Sequence, residues 1–224
     1  MQRSLVGSEM CIRDRGYFMR MRKLAMTLSQ LPRHPLKEAA LEQYGTDGEV
    51  AAKWVASIDM KEPFEEIDGV IDLGAGNGIL GIAALLLGAP HAVFVEIDYE
   101  VCEVLQESIK SMGFNDRCRI INGDVSDLGD DLVHDVVIMN PPWGRQTPKA
   151  DRPFLLAANR CARSTIHLLH GRGAAHIDPW AEENGWISQR WMEADLPLPA
   201  TYAHHSRKRG STEAAMWWLE RPAR

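Results

Sequence analysis

The residues best suited to chemistry in this 224-residue chain stand in one run, Asn140-Pro141-Pro142-Trp143, directly after the apolar stretch Val136-Val137-Ile138-Met139. The apolar stretch reads as a strand buried on both faces, as in a parallel sheet. Two prolines end it by removing two backbone donors and fixing φ, and the residue before a proline is held extended. Asn140 is thereby displayed on stiff backbone at the carboxyl end of a core strand, where open α/β sheets place their chemistry. The amine of adenine is a poor nucleophile, because its lone pair is delocalised into the ring. Two acceptors aimed at its N–H groups would hold the nitrogen towards a tetrahedral, reactive geometry. The side-chain oxygen of Asn140 and the carbonyl of Pro141 can be those acceptors, and Pro142 brings no competing donor. Trp143 offers a flat face for a base, worth about 1–3 kcal/mol in single-strand binding proteins. Taken alone, the run reads as well as a strand, a Pro-Pro turn and a buried Trp.

A second group of residues changes that balance. Gly69-Val70-Ile71-Asp72-Leu73-Gly74-Ala75-Gly76-Asn77-Gly78 reads as strand and glycine turn, followed by a helix over Ile79 to Gly88. Glycines let backbone approach a ligand closely, and a helix N-terminus supplies oriented N–H groups. The spacing departs from the dinucleotide fingerprint Gly-x-Gly-x-x-Gly. An acid at the strand end, Asp72, suits a positively charged ligand group, such as the ammonium of a methionine moiety, better than a pyrophosphate. The next strand, Ala92 to Glu96, ends in an acid about twenty residues past the glycines, the position of a ribose-hydroxyl acceptor in doubly wound nucleotide binders. A third strand, Arg119 to Asn122, leads to Asp124-Val125, where an acid and an N–H can meet an adenine amine. Any one of these acids could be a helix cap or a solvated turn. Asp72, Glu96 and Asp124 at successive strand ends point together to S-adenosylmethionine.

The elements that position these groups follow in order. A short amphipathic helix is expected over Met21–Leu31, and a second helix begins near Val50 with Asp47 as N-cap. Asp98 is expected to cap a helix over Tyr99–Met112. After the Asn-Pro-Pro-Trp strand the pattern predicts a helix from Pro153 to Leu169, a fifth strand at Ala174–Ile177, and strand-like pieces carrying Trp186, Trp191, Trp217 and Trp218. The fold class is α/β: a Rossmann-like, doubly wound, mostly parallel sheet with an antiparallel C-terminal hairpin. Residues 1–18 read as a non-native tail, since Ser4–Asp14 resembles the translation of a sequencing adapter, and native sequence is expected from Met19 or Met21. Residues 19–60 form an N-terminal helical extension and 61–224 the main domain.

Composition sets outer bounds. A hydrophobic fraction of 45% supports a full core, and a net charge of −6 argues against indiscriminate nucleic-acid binding. The densest basic cluster is His204-His205-Ser206-Arg207-Lys208-Arg209, a solvated turn or a phosphate-contacting finger in which His204, Arg207, Lys208 and Arg209 meet RNA. Cys11, Cys102, Cys118 and Cys161 are scattered and fit neither a zinc site nor a disulfide framework. No metal site is expected, and no stretch reaches the length of a membrane span. The chain is expected to be cytoplasmic.

With those residues placed, the chain from about Leu24 onward resembles the class I methyltransferase family of eukaryotic and archaeal small-subunit ribosomal RNA adenine-N(6) methyltransferases. Leu41-Glu42-Gln43-Tyr44-Gly45-Thr46 matches the family's N-terminal motif, which implies cofactor contacts for Gln43 and Thr46. Gly74, Asn77 and Ile79 match its glycine loop, Glu96 its ribose acid, and Asp124-Val125 its adenine contacts; Gly76, within the same turn, is expected at the cofactor as well. Trp143 stands where the family carries Phe, and Asn77 where the eukaryotic enzyme has Cys. The resemblance implies RNA as substrate, S-adenosylmethionine as cofactor, and a small zinc-binding activator subunit as a partner to be tested. Two enzyme alternatives stay open, a protein glutamine amide and DNA adenine, because Asn-Pro-Pro-aromatic can polarise any planar amine. A cofactor-binding scaffold without catalysis is the alternative of another class.

Overall fold

A computed structural model describes residues 20–32, 46–144, 147–197 and 211–222. The adapter-like tail, Gln43 and the basic run 204–209 lie outside the described residues. Seven strands form one sheet: β1 (Val70–Leu73), β2 (Ala92–Glu96), β3 (Cys118–Asn122), β4 (His134–Met139), β5 (Ala162–Gly171), β6 (Ile187–Pro197) and β7 (Ser211–Glu220), in the order β3-β2-β1-β4-β5-β7-β6. The first five are parallel neighbours, and β7 runs antiparallel between β5 and β6. This is the expected doubly wound sheet with an antiparallel end.

Alternation along the strands fills both faces. Val70, Phe94, Val136 and Ile138 pack under residues 20–29 (α1), Gly48–Lys61 (α2), Ile79–Leu86 (α3) and Tyr99–Ser111 (α4). Ile71, Leu73, Val95, Val137 and Met139 pack under Arg152–Cys161 (α5) and Ile177–Glu183 (α6). Apolar residues on both sides of each strand are what a sheet covered on both faces requires. Helix starts follow their caps: Asp47 accepts from Glu49 N, and Asp98 accepts from Glu100 N and Val101 N. A Cβ on Gly48 would stand 2.4 Å from Ser29 Oγ. Only glycine lets α2 press so closely on α1, and that contact delivers Thr46 to the edge of the sheet.

Two expectations are corrected. The helix predicted from Pro153 to Leu169 stops at Cys161, and Ala162–Gly171 is strand β5. Thr165 and Ile166 are β-branched and pair with Val136 and Val137 of β4, a sheet contact that outweighs continuing the helix. Consequently Ala174–Ile177 is no strand: it leads through a turn to α6, with His176 at the N-cap.

The turn between β1 and α3 holds Gly74, Gly76 and Gly78 at φ values of 69, 55 and 76°, a left-handed conformation that favours glycine. A Cβ on Gly78 would meet Leu105 Cδ1 at 2.3 Å, whereas one on Gly76 would meet nothing within 4 Å. Gly76→Ala is therefore expected to cost only the left-handed penalty, about 1–2 kcal/mol. Gly78→Ala should lose about 1–3 kcal/mol more through overpacking. Denaturant unfolding of the two variants checks the ranking, and equal losses would contradict the packing assigned to this turn.

Candidate active site

Because β1 to β5 run parallel, their carboxyl ends share one edge of the sheet. The chain order reverses between β1 and β4, and that switch point is where open α/β sheets bind ligands. The glycine turn after β1 and Asn140 after β4 flank it on either side. Glu96 ends β2, while Asp124 follows β3 at the same edge. The structure thus brings together the catalytic and cofactor groups expected at strand ends.

In detail, the three acids hold backbone. Asp72 Oδ2 accepts from Gly81 N at 2.9 Å, capping α3 from the neighbouring strand where the N-cap residue Gly78 has no side chain to do so. Glu96 accepts from Gly76 N at 2.8 Å through one oxygen and from Asp98 N at 3.0 Å through the other. It fixes the open glycine in place from β2. Asp124 is exposed and accepts from Ser126 N at 2.8 Å, capping the 3-10 turn Val125–Asp127, in which Val125 is buried. Carboxylate oxygens carry two lone pairs each, so these bonds do not exhaust them. Asn77 Nδ2 donates to the Pro32 carbonyl at 3.1 Å, tying the glycine turn to the segment after α1, and Ile79 is buried at the start of α3.

Asp72 is the strained member of the set. Burial pushes its carboxyl up to about 7, the Gly81 N–H opposes that, and the charge of Glu96 adds to it. A buried acid of this kind fits a cationic ligand group, because ion pairing offsets the cost of ionising it. The residues at this edge therefore suit the ammonium, ribose and adenine of S-adenosylmethionine. A Cβ on Gly76 would meet no protein atom within 4 Å, which leaves its backbone open to a ligand.

On the other side of the switch point, Trp143 Nε1 donates to Asn140 Oδ1 at 3.2 Å, and Asn140 Nδ2 donates to Thr46 Oγ1 at 3.2 Å. An indole nitrogen only donates, so the amide must present its oxygen to Trp143 and its NH2 to Thr46. Trp143 is 7% exposed. Its ring stacks on His170, centroids 5.8 Å apart and 21° between planes. The expected stacking face for a base is thus backed by protein on one side, while the indole N–H takes part in holding the acceptor amide. Thr46, expected at the cofactor, touches the acceptor Asn140.

Sequence reading missed three residues. Asp151, His170 and His176 bring one ligating atom each within 4.8 Å of one another behind Trp143. His170 lies near the carboxyl end of β5, and reading that stretch as strand would have flagged it by the same strand-end logic that found Asp72 and Glu96.

Comparison with known proteins decides the family. The model of the family described as "Conserved hypothetical protein 95" matches residues 56–163. An uncharacterized protein of Methanocaldococcus jannaschii is 32% identical over 83% of this chain and 87% of its own length. The rRNA N(6)-adenosine-methyltransferase METTL5 of Danio rerio is 30% identical over 85% of this chain and 93% of its own. The chain belongs to the rRNA N(6)-adenosine-methyltransferase family. A crystal structure described as that of a candidate RNA methyltransferase of Pyrococcus horikoshii superposes with a TM-score of 0.81 at 31% identity, covering 90% of this chain and 98% of that one. The Rossmann-like class I methyltransferase fold and the membership agree with the residue-level reading, and as a member of this family the protein is a methyltransferase.

The Asp72 carboxyl gives a pH test. An unfolded Asp ionises near pH 4, whereas the folded group keeps its proton until about 7, so stability falls as pH rises between those values. Asp72→Asn removes that slope. Thermal unfolding from pH 4 to 8 is expected to show the variant gaining on the wild type as pH rises, and parallel curves would contradict the burial assigned to Asp72.

Proposed function

We propose that the protein transfers the methyl group of S-adenosylmethionine to the exocyclic amine of an adenine in RNA, with ribosomal RNA the first candidate. The observation that carries this reading is the fixed amide of Asn140, its oxygen held by a donor-only indole at the switch point opposite the glycine turn. The substrate named for the Danio rerio relative supports RNA over DNA or protein.

S-adenosylmethionine supplies an electrophilic methyl on a sulfonium. Asp72 would hold its cationic group, Glu96 and Asp124 would offer acceptors to its ribose and adenine, and Gly76 would let the backbone come close. Asn140 Oδ1 would accept one N–H of the target amine, and the Pro141 carbonyl would accept the other. Held there, the nitrogen would face that methyl in line and take it from the sulfur, and the amine would release one proton to solvent. Positioning would supply most of the effect, since neither acceptor of the target amine needs to change charge before the attack. An adenine paired in a duplex must first be flipped out.

RNA contacts are assigned to His204, Arg207, Lys208 and Arg209 on their sequence. Three other arginines each face carboxylates: Arg163 pairs with Asp68 and Asp135, Arg172 with Glu193 and Glu213, and Arg160 lies 3.8 Å from Asp130. Replacing Arg207, Lys208 and Arg209 by Ala is expected to weaken RNA binding and flatten its salt dependence, by up to about two units of log slope on single strands. Unchanged salt dependence in filter binding would place the RNA surface elsewhere.

Tritiated methyl transfer into RNA, DNA and protein fractions tests the reaction itself. Label is expected in RNA, and label confined to protein or DNA would overturn the reading. Asn140→Ala should keep cofactor affinity while lowering turnover about a hundredfold or more, as when one oxyanion-hole donor is lost. An active Asn140→Ala enzyme would defeat the mechanism.

A further inference from the structure

We infer that Asp151 and His170 are positioning residues for the methyl acceptor, acting through Trp143 on the amide of Asn140. The inference rests on the function proposed above and extends it to residues that touch neither cofactor nor base.

Register brings the parts together. Met139 pairs with Leu168, so His170 lies two residues beyond, at the same sheet edge as Asn140. His170 is 4% exposed, and its Nδ1 accepts the N–H of Gly171 at 2.8 Å. A ring nitrogen that accepts carries a lone pair, which puts the proton of the neutral ring on Nε2. Nε2 lies 3.3 Å from Asp151 Oδ2 but makes no aligned hydrogen bond to it among the described residues. The plane of this imidazole is set by the Gly171 N–H on Nδ1, by attraction to Asp151 at the other end, by the Trp143 ring on its face and by the His176 ring at its edge. Close packing reinforces the wall, since a Cβ on Gly171 would stand 3.4 Å from Trp143 Cε3.

Asp151 anchors the arrangement. It is buried at the start of α5, yet its side chain makes no cap bond to that helix. Oδ2 instead takes His176 Nε2 at 2.5 Å alongside His170. Burial pushes this carboxyl up, but its two imidazole partners prevail and hold it below the ordinary carboxylate range. An ionised carboxylate thus stands behind His170, with the half-exposed His176 on its other side.

Asp151, His170 and His176 are also the donor set of a three-ligand metal site. The tautomer argues otherwise. A hydrogen on His170 Nε2 occupies the lone pair that a metal would need, and the Gly171 N–H blocks the alternative tautomer. The cluster is a polar wall, its carboxylate bonded to His176 and set against His170.

The wall matters because Trp143 does two things at once. Phe can stack on an imidazole but has no N–H. Here the same ring both rests on His170 and donates to Asn140 Oδ1. Tilting the indole would move its N–H and release the amide that orients the target amine.

A double-mutant cycle tests this. Trp143→Phe and His170→Leu are each expected to lower kcat about tenfold or more, within the range for a misplaced catalytic group, with the cofactor KM unchanged. The double variant should be no slower than Trp143→Phe alone, and His170→Gln, which keeps a donor facing Asp151, should recover part of the loss. Additive losses, or a loss confined to KM, would overturn the inference. A second readout is independent of substrate. The indole N–H resonance missing from Trp143→Phe identifies Trp143, and its hydrogen exchange is expected to be slow in the wild type, fast in His170→Leu and intermediate in Asp151→Asn. Exchange unmoved by either change would overturn the inference even if RNA is methylated. Faster exchange in a protein whose wild type labels no RNA would support it while overturning the proposed function. Stoichiometric zinc that is lost with His170→Leu would replace the wall by a metal site.

Discussion

An indole N–H can only donate, and that constraint orients the working end of this molecule. Asn140 must turn its oxygen to Trp143 and its NH2 to Thr46. Neither neighbour would be in place without the sheet. Trp143 follows two prolines that fix the exit from β4, and Thr46 is brought in by the close approach of α2 to α1 at Gly48. An amide that could flip would present a donor to the target amine half of the time; this one presents an acceptor. The catalytic geometry is therefore built from groups that never change charge.

The cofactor side works by a different principle. Asp72, Glu96 and Asp124 all accept backbone N–H groups, so each acid shapes the turn it stands beside. Asp72 is the costly one, buried at the sheet centre with its carboxyl pushed up to about 7. Protein interiors keep such a group when something offsets its ionisation. A cationic ligand would do so by pairing with the ionised carboxylate.

Much of this was legible in the sequence because β1, β2 and β4 are short, largely apolar runs with a polar residue at or beside their carboxyl ends, Asp72, Glu96 and Asn140, a pattern that names its own functional end. Asp47 and Asp98 were readable as caps for the same local reason. What stayed hidden is non-local. Ala162–Gly171 follows a helix without a glycine or proline break, and only pairing with β4 and β7 makes it a strand. Misreading it concealed His170, whose position at a strand end was the clue. The bonds from Thr46 to Asn140 and from His176 to Asp151 join residues far apart in the chain, and no spacing rule reaches them.

The account stands or falls on where the target nitrogen sits. A crystal structure with a bisubstrate analogue, adenosine joined through N6 to the methyl position of the cofactor, measures it directly. The account predicts N6 at hydrogen-bond distance, about 3 Å, from both Asn140 Oδ1 and the Pro141 carbonyl, with the Trp143 N–H still on Asn140. An analogue bound with N6 beyond that reach, or with the Asn140 amide turned to offer its NH2, would contradict it.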